Sequence, residues 1–306
     1  MTARSTRHRL FATGAVLAAG SLVLTGCGSQ GSSTTSKAKP DKAAAASQAP
    51  LFAKLPADIQ KSGVVKVGSE VAYAPVEFMQ DGKPVGIDPD LATALGKQLG
   101  VTFQIQNSGF DTLITGLDSK RFDLAMSAMT DNKERQGKGV DFIDYFSAGT
   151  SILVKKGNPE KIQTLDDLCG KTVALQKATT NEDIAKTQAK KCKTDKKGEL
   201  KIQAYAHDGE ALLKIKGGGA VADLNDFPVA AYNAQTSGSG NDFEVVGEQV
   251  EAGLYGIAVS KENTQLRDAV KAALDELIKN GEYAKILDKW QVKQGAVTAV
   301  QINGGK

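Results

Sequence analysis

The sequence has 306 residues, of which 41% are hydrophobic and 24% charged, which is enough for one large or two ordinary domains with a sizeable core. Its formal net charge of +3 comes from three arginines within residues 1–26, a stretch without acidic residues, so the remainder is formally neutral. This balance gives no electrostatic basis for binding nucleic acid.

The first 26 residues have the pattern of a secretory leader. A basic start is followed by the apolar residues 10–24, which are too few to span a membrane comfortably. The residues Leu-Thr-Gly-Cys at 24–27 resemble a bacterial lipobox, in which Cys27 would be lipidated and become the mature N-terminus. An ordinary cleavage site beside a chance cysteine is the alternative. Residues 27–55, rich in Ser, Thr, Ala and Lys, are then expected to form a flexible tether.

Two further cysteines, Cys169 and Cys192, lie in a chain that we expect to be exported. Thiols in an oxidising compartment usually pair, so the sequence predicts a disulfide between them. After the leader the only histidine is His207, which argues against a zinc site and against most catalytic arrangements built on histidine. We therefore expect no metal, no cofactor and no catalytic residue.

From residue 63 onwards, short apolar runs alternate with stretches of helical periodicity. The runs predict strands at 64–68, 101–105, 124–129, 151–155, 171–175, 200–205, 220–224, 243–246 and 255–259. The periodic stretches predict helices at 88–99, 111–119, 182–191, 209–216, 229–235, 266–278 and 283–290, with a hairpin at 80–84 and a loose tail at 296–306. This alternation indicates an α/β fold of doubly wound units.

The stretch DLAMSAMTDNKER at 123–135 is an apolar run that ends in small and hydroxyl-bearing residues and leads into a short helix. Asp131 or Asn132 can cap that helix, with Glu134 in its first turn. The free backbone N–H groups of such a junction attract anions, and Arg135 adds a planar cationic fork suited to a carboxylate. A solvent-facing helical arginine is the alternative.

A second corner of this kind lies at residues 176–181. Thr180 or Asn181 can cap the following helix, so two anion-binding corners in one chain suggest a ligand held from two sides. Asp226 also ends a predicted strand, where it could cap the next helix or bind a cation. Ligands of open parallel sheets bind at the carboxyl ends of the strands, which is where these residues fall.

With these residues in view, the chain from about 64 to 290 resembles the amino-acid-binding extracellular solute receptors of ABC importers, family 3. Matching stretches occur in the family's order: GSEVAYAPVEF at 68–78, GIDPDLATALGKQLG at 86–100, GFDTLITGL at 109–117, DLAMSAMT at 123–130 followed by Glu134-Arg135, LVKKGNP at 153–159, DDLCGKTVALQKATTNE at 166–182, LNDFPVAAY at 224–232 and EYAKILDKW at 282–290. The ordered set carries the resemblance, because any one stretch alone would be weak evidence.

The resemblance implies a type II periplasmic-binding-protein fold, in which two doubly wound α/β lobes are joined by two crossover strands and close on a ligand. Lobe 1 would comprise residues 56–151 and 256–295, and lobe 2 residues 152–255. The natural crossings are the predicted strands 151–155 and 255–259. One departure is Ala178, since the family usually has glycine at this position.

The resemblance also assigns the residues that would hold a ligand carboxylate. Arg135 would clamp it, and the Thr130 hydroxyl and the Ala128 backbone N–H would share the task. Thr180 and Asn181 belong to the loop of lobe 2 that would complete this part of the site.

The other end of the ligand would be met by different residues. Asp226 matches the acid that holds the α-ammonium group, and Tyr73 and Phe110 match the aromatic residues that flank the side chain. Glu70 lies where the cleft meets that side chain, and a carboxylate there favours a cationic or donor-rich group such as that of arginine. Gln176 nearby also suits a polar side chain. Alternatively, Glu70 forms a salt bridge with a lysine of the protein itself.

Together these expectations describe a monomeric receptor, lipid-anchored on the extracellular face of the membrane through Cys27. It would bind a polar or basic amino acid and deliver it to the permease subunits of an ABC transporter, without enzymatic activity. Two other functions stay open: a dehydratase for an amino-acid-related substrate on the same fold, and a lipoprotein that acts as a sensor or an adhesin.

Overall fold

The computed structural model describes residues 47–306; the predicted leader, Cys27 and the predicted tether up to residue 46 lie outside them. The described chain has the predicted α/β architecture, with an eight-stranded and a three-stranded sheet. The strands are β1 (Val64–Ser69), β2 (Ala72–Tyr73), β3 (Glu77–Gln80), β4 (Lys83–Val85), β5 (Thr102–Asn107), β6 (Leu124–Ala125), β7 (Val140–Lys155), β8 (Thr172–Gln176), β9 (Lys201–Tyr205), β10 (Ala222–Asp226) and β11 (Phe243–Ser260).

The helices lie mainly between consecutive strands. They are α1 (Ala57–Ser62), α2 (Ile87–Leu99), α3 (Leu113–Asp118), α4 (Lys133–Gln136), α5 (Thr180–Thr194), α6 (Asp208–Lys216), α7 (Phe227–Thr236), α8 (Thr264–Lys279) and α9 (Glu282–Lys289). Within residues 47–306, none of these helices combines the length and the apolar character needed to cross a membrane.

The strand order of the large sheet is β5-β1-β6-β11-β7-β10-β8-β9. At one end β5, β1 and β6 are parallel, and at the other end β10, β8 and β9 are parallel. We call the part built on β1, β5 and β6 the β1 lobe, and the part built on β8, β9 and β10 the β8 lobe. The two central strands, β7 and β11, are antiparallel to each other and run through both lobes.

This topology brings the carboxyl ends of the parallel strands of both lobes to one cleft. Gly68 of β1 pairs with Ala125 of β6, and Asp226 at the end of β10 pairs with Thr150 in the middle of β7. The loops that follow β1 and β6 therefore face the loops that follow β8 and β10, with β7 and β11 between them.

Helix α2 shows why these sequences fold as they do. Leu91, Leu95 and Leu99 recur at four-residue spacing on one face and are at most 1% exposed. Burying a leucine side chain contributes roughly 2 to 3 kcal/mol, so this face fixes α2 on the core of the β1 lobe. The helix ends at Gly100, whose φ of +69° is the left-handed conformation that glycine adopts without strain.

Several predicted elements differ in extent from the observed ones. The strand expected at 124–129 has only two residues, because the chain after Ala125 turns into the cleft and Ala128 has a φ of +45°. The strands expected at 243–246 and 255–259 are parts of the single 18-residue β11, which pairs with the 16-residue β7 across three register shifts. The crossing expected at 151–155 is the end of β7. Pairing between distant segments, which no local pattern encodes, extends both strands.

Two segments expected to be loose are packed against the core. In the predicted tether, Leu55 is fully buried, so the end of that segment belongs to the folded unit. The prediction of a loose tail at 296–306 was also wrong. Ala296 and Ile302 form isolated β-bridges to Phe146 and Ile143 of β7, and Val300 is only 6% exposed. This segment is therefore held against β7.

The predicted disulfide between Cys169 and Cys192 is present. It ties the loop before β8 to helix α5, and the Cys192 side chain is fully buried. The bond therefore closes a loop that contains β8 and the corner before α5.

Replacing both Cys169 and Cys192 by alanine should lower the free energy of unfolding by about 3 kcal/mol, because the cross-link no longer restricts the unfolded chain. Urea denaturation followed by circular dichroism measures the change. Reduction of the wild-type protein should have a similar effect and should leave the double variant unchanged. Equal stability of oxidised wild type and double variant would contradict the prediction.

Candidate functional site

A cavity of about 300 Å³ lies in the cleft between the two lobes. All ten residues predicted to contact a ligand line it: Glu70, Tyr73, Phe110, Ala128, Thr130 and Arg135 from the β1 lobe, and Gln176, Thr180, Asn181 and Asp226 from the β8 lobe. Three further residues, Glu77, Ser127 and Thr179, complete the wall.

Arg135 is held by both lobes. Its Nη1 group donates to the Thr130 carbonyl at 2.7 Å, and its Nη2 group donates to the Ala178 carbonyl, across the cleft, at 3.1 Å. The guanidinium lies 5.4 Å from the centre of the Phe110 ring, and the residue is only 7% exposed. The interpretation of Arg135 as a solvent-facing helical residue is therefore wrong.

The backbone before Arg135 is fixed by a helix cap. Asn132, one of the two predicted candidates, accepts a hydrogen bond from the Arg135 N–H at 2.9 Å. Ala128 departs from expectation, because its N–H donates to the Asp88 carboxylate at 3.3 Å and so faces a protein group. The Thr130 and Thr180 hydroxyls lie 3.3 Å apart and join the two lobes.

The corner before α5 has a different cap from the one predicted. The Thr179 hydroxyl accepts a hydrogen bond from the Glu182 N–H at 3.1 Å, so Thr180 and Asn181 lie inside the helix. Because neither side chain caps the helix, both can line the cavity. Ala178, with a φ of +61°, turns its carbonyl towards Arg135, and this is the left-handed conformation that glycine would adopt more easily.

Asp226 is the buried anion of the cavity. One carboxylate oxygen accepts from Asn181 at 3.1 Å and the other from the Tyr255 hydroxyl at 2.7 Å. Asp226 occupies the N-cap position of α7, but its side chain makes no capping hydrogen bond to the helix. Burial raises the pKa of Asp226, while the hydrogen bonds from Tyr255, Asn181 and Tyr73 and the charge of Arg135 oppose the rise.

Two tyrosines support Asp226. The Tyr73 hydroxyl donates to Asn225, the residue before Asp226, at 2.5 Å and so reaches from the β1 lobe to the β8 lobe. Burial raises the pKa of Tyr73 and of Tyr255 well above the usual value, so both hydroxyls stay protonated and can donate. Tyr255 was not predicted as a site residue, because it lies within a strand that was expected only to cross between the lobes.

Arg135 and Asp226 together give the cavity a cationic and an anionic group. Burial lowers the pKa of Arg135, and the charge of Asp226 is the strongest influence that counters it. An arginine remains charged at any physiological pH. The cavity therefore has the electrostatic character that a zwitterion requires.

Glu70 lies at another part of the wall and has protein partners from the β8 lobe. It is 3% exposed, and its carboxylate accepts from Gln176 and contacts Nδ1 of His207 at 2.5 Å. The Glu70 backbone N–H donates to the Ser127 hydroxyl at 3.0 Å, and this hydroxyl in turn donates to the Glu77 carboxylate. The alternative of a salt bridge between Glu70 and a lysine is not what the structure shows, because the partners of the Glu70 carboxylate are His207 and Gln176.

Pairs of buried carboxyl groups lie behind the cavity in both lobes. Burial raises the pKa of Asp88 to about 6 and that of its neighbour Glu77 well above the usual range. In the β8 lobe, burial raises the pKa of Asp208 to about 7, and Asn225 donates to both Asp208 and Asp223. Within residues 47–306, no cluster of three or more histidine, cysteine or acidic side chains is arranged to hold a metal ion.

The Glu70 carboxylate should raise the pKa of His207, chiefly through their hydrogen bond, with smaller contributions from Glu210 and Asp111. Proton NMR of the imidazole should give a titration midpoint above the ordinary value of about 6.5, and this midpoint should fall in Glu70→Gln. The contact stabilises the fold at low pH and is lost as the pH rises through the raised pKa.

The His207→Asn variant assigns the signal, because the sequence contains one other histidine, His8. The same midpoint in wild type and in Glu70→Gln would contradict the contact.

Comparison with known proteins agrees with this geometry. The arginine-binding protein ArgT of Corynebacterium glutamicum is 30% identical over 255 residues, which cover 83% of this chain and 82% of ArgT. The L-cystine-binding protein TcyJ of Escherichia coli is 30% identical over 76% of this chain and 84% of its own length. Among solved structures, an ancestral arginine-binding protein bound to arginine has a TM-score of 0.69 and 37% identity, covering 74% of this chain and 98% of its own.

The fold is that of the type II periplasmic-binding proteins, as the sequence predicted. The family model described as bacterial extracellular solute-binding proteins, family 3, matches residues 65–293. The protein therefore belongs to the family 3 bacterial extracellular solute-binding proteins.

Proposed function

We propose that this protein binds an α-amino acid with a polar or basic side chain between its lobes and delivers it to an ABC importer. The observation that carries the proposal is the placement of Arg135 and Asp226, from different lobes, on the wall of one cavity. The names of the relatives, which include arginine-binding and cystine-binding proteins, are consistent with a ligand of this class.

An amino acid needs both of its backbone charges met when it leaves water. An unpaired buried charge costs several kcal/mol, so a cavity that offers only one partner would reject a zwitterion. Arg135 can hold the α-carboxylate through parallel hydrogen bonds, and Asp226 can hold the α-ammonium group. Thr130, Thr180 and Asn181 supply further polar contacts around these two ends.

We propose that Glu70 and Gln176 recognise the side chain of the amino acid ligand. Glu70 is buried against His207 and Gln176, and all three are polar. A ligand guanidinium or ammonium group would take the place of the His207 imidazole beside the Glu70 carboxylate, because it is a permanent cation with several donors. A side chain without donors would leave these groups unpaired, which disfavours apolar amino acids.

The same contacts suggest how the lobes close. Arg135, Thr130 and Glu70 each contact a residue of the β8 lobe, while the backbone links between the lobes are β7 and β11. A ligand that contacts both lobes favours the closed arrangement by its differential affinity for that state. Rotation about β7 and β11 is the proposed motion.

We further propose that Cys27 carries a lipid and anchors the protein, as a monomer, on the extracellular face of the membrane. The proposal rests on the leader pattern and the Leu-Thr-Gly-Cys sequence at 24–27. The ligand would then pass to permease subunits of the same membrane.

Isothermal titration calorimetry with the common amino acids should give the tightest binding for L-arginine or another amino acid with a donor-rich side chain, because Glu70 and Gln176 need donors. In Glu70→Gln the preference for a cationic side chain over glutamine should fall by about tenfold or more, since a charge-assisted hydrogen bond becomes a neutral one. Tight binding of glutamate together with no binding of arginine, glutamine or cystine would refute the proposal.

Arg135→Ala should nearly abolish amino acid binding, by roughly a hundredfold or more, because a buried carboxylate would lose its only permanent cation among the cavity-lining residues. The matched control is Arg121→Ala, which removes an exposed arginine outside the cavity and should leave the dissociation constant unchanged. Circular dichroism checks that both variants are folded. Undiminished affinity in folded Arg135→Ala would rule out the carboxylate clamp.

A further inference from the structure

Residues 296–306, which we call the end segment, lie beyond the residues matched by the family model. They contact residues 128–135, the binding loop that leads to Arg135. We propose that the end segment positions the binding loop, so that this protein's ligand site depends on a part of its chain outside the family match. The inference rests on the proposed function for its effect on affinity.

The end segment is anchored first on β7. The side chain of Asn303 donates to Asp141 at 2.8 Å and accepts from the Phe142 N–H at 2.8 Å. The Gln301 carbonyl accepts from the Asp144 N–H at 3.0 Å. With the bridges of Ala296 and Ile302 to the same strand, these bonds hold the segment beside the β1 lobe.

From this anchor the last three residues reach the binding loop. The Gly305 N–H donates to the Asp131 carboxylate at 2.7 Å, and the Lys306 carbonyl accepts from the Lys133 N–H at 3.3 Å. The Gly304 N–H donates to Asp144 at 2.9 Å. Asp131 is 2% exposed, so its carboxylate depends on protein donors.

The position of Asp131 bears directly on the site. Asp131 follows Thr130, whose carbonyl holds the Arg135 guanidinium. Its other carboxylate oxygen accepts from Gln136 in α4 at 2.7 Å, so one side chain ties α4 and the end segment together. Helix α4 has only four residues, which is too short to be stable without outside contacts.

The approach is close enough to require glycine. A Cβ atom on Gly305 would lie 2.1 Å from the Asp131 carbonyl oxygen, which is backbone and cannot move aside. The end segment also borders an open depression beside the ligand cavity, whose wall includes Gly305 and Lys306 as well as Thr130, Thr180 and Asp226 of that cavity. It therefore reaches the edge of the ligand site.

The test compares wild type with two variants of the full chain: one that lacks residues 304–306, and Gly305→Ala, which forces the end segment away from Asp131. The controls are Lys306→Ala, which keeps the backbone bonds, and Gly209→Ala, where a Cβ atom meets no other atom within 4 Å. Two readouts are used: calorimetry with L-arginine, and hydrogen exchange of peptides from the binding loop and from β8.

We expect the shortened chain and Gly305→Ala to bind arginine about tenfold more weakly, as the loss of one or two hydrogen bonds would give. Amide exchange should quicken in the binding loop and stay unchanged in β8, and both controls should behave as wild type. A merely structural role would lower the melting temperature without this local change in exchange.

Unchanged loop exchange in the shortened chain would overturn the inference, as would unchanged arginine affinity where wild type binds it. If wild type binds no amino acid, the proposed function fails. The exchange measurement still decides whether the end segment holds the loop.

Discussion

The structure of the cleft depends on keeping the Arg135 guanidinium and the Asp226 carboxylate buried in the same small cavity, whose wall also holds the Glu70 carboxylate. Neither charge is free: Arg135 is held by carbonyls from both lobes, and Asp226 by Asn181 and two tyrosines. Each group would cost several kcal/mol if it were left without partners. The surrounding elements can be understood as the means of supplying those partners, which come from loops, from helix α5 and from strands β2 and β11.

Much of the site could be predicted because its signals are local. Each signal is contained in a few neighbouring residues: a helix cap just before Arg135, polar residues at the carboxyl ends of strands, and short stretches that match the family in order. The ten predicted residues do line one cavity. Whether each contacts a ligand is still a prediction. The extents of β7 and β11 were not predictable in this way, since strands of 16 and 18 residues are defined by their pairing with each other.

Other differences have equally specific causes. Thr179 rather than Thr180 caps α5, because three neighbouring residues are all good caps and only the backbone geometry chooses among them. His207 entered the sequence argument only as a reason against metal and catalysis, and nothing local connects it with Glu70, 137 residues away. The end segment was expected to be loose, but its glycine Gly305 permits a close backbone contact with Asp131 that no local pattern indicates.

The buried acid pairs make folding of this protein a proton-uptake reaction. Asp88, with a pKa of about 6, and Asp208, with a pKa of about 7, both exceed the value of about 3.9 for aspartate in an unfolded chain. Between about pH 4 and pH 7 the native state holds protons that the unfolded chain has released, so these groups favour the native state less as the pH rises. These acids by themselves therefore favour the native state more at mildly acidic than at alkaline pH, independently of any ligand.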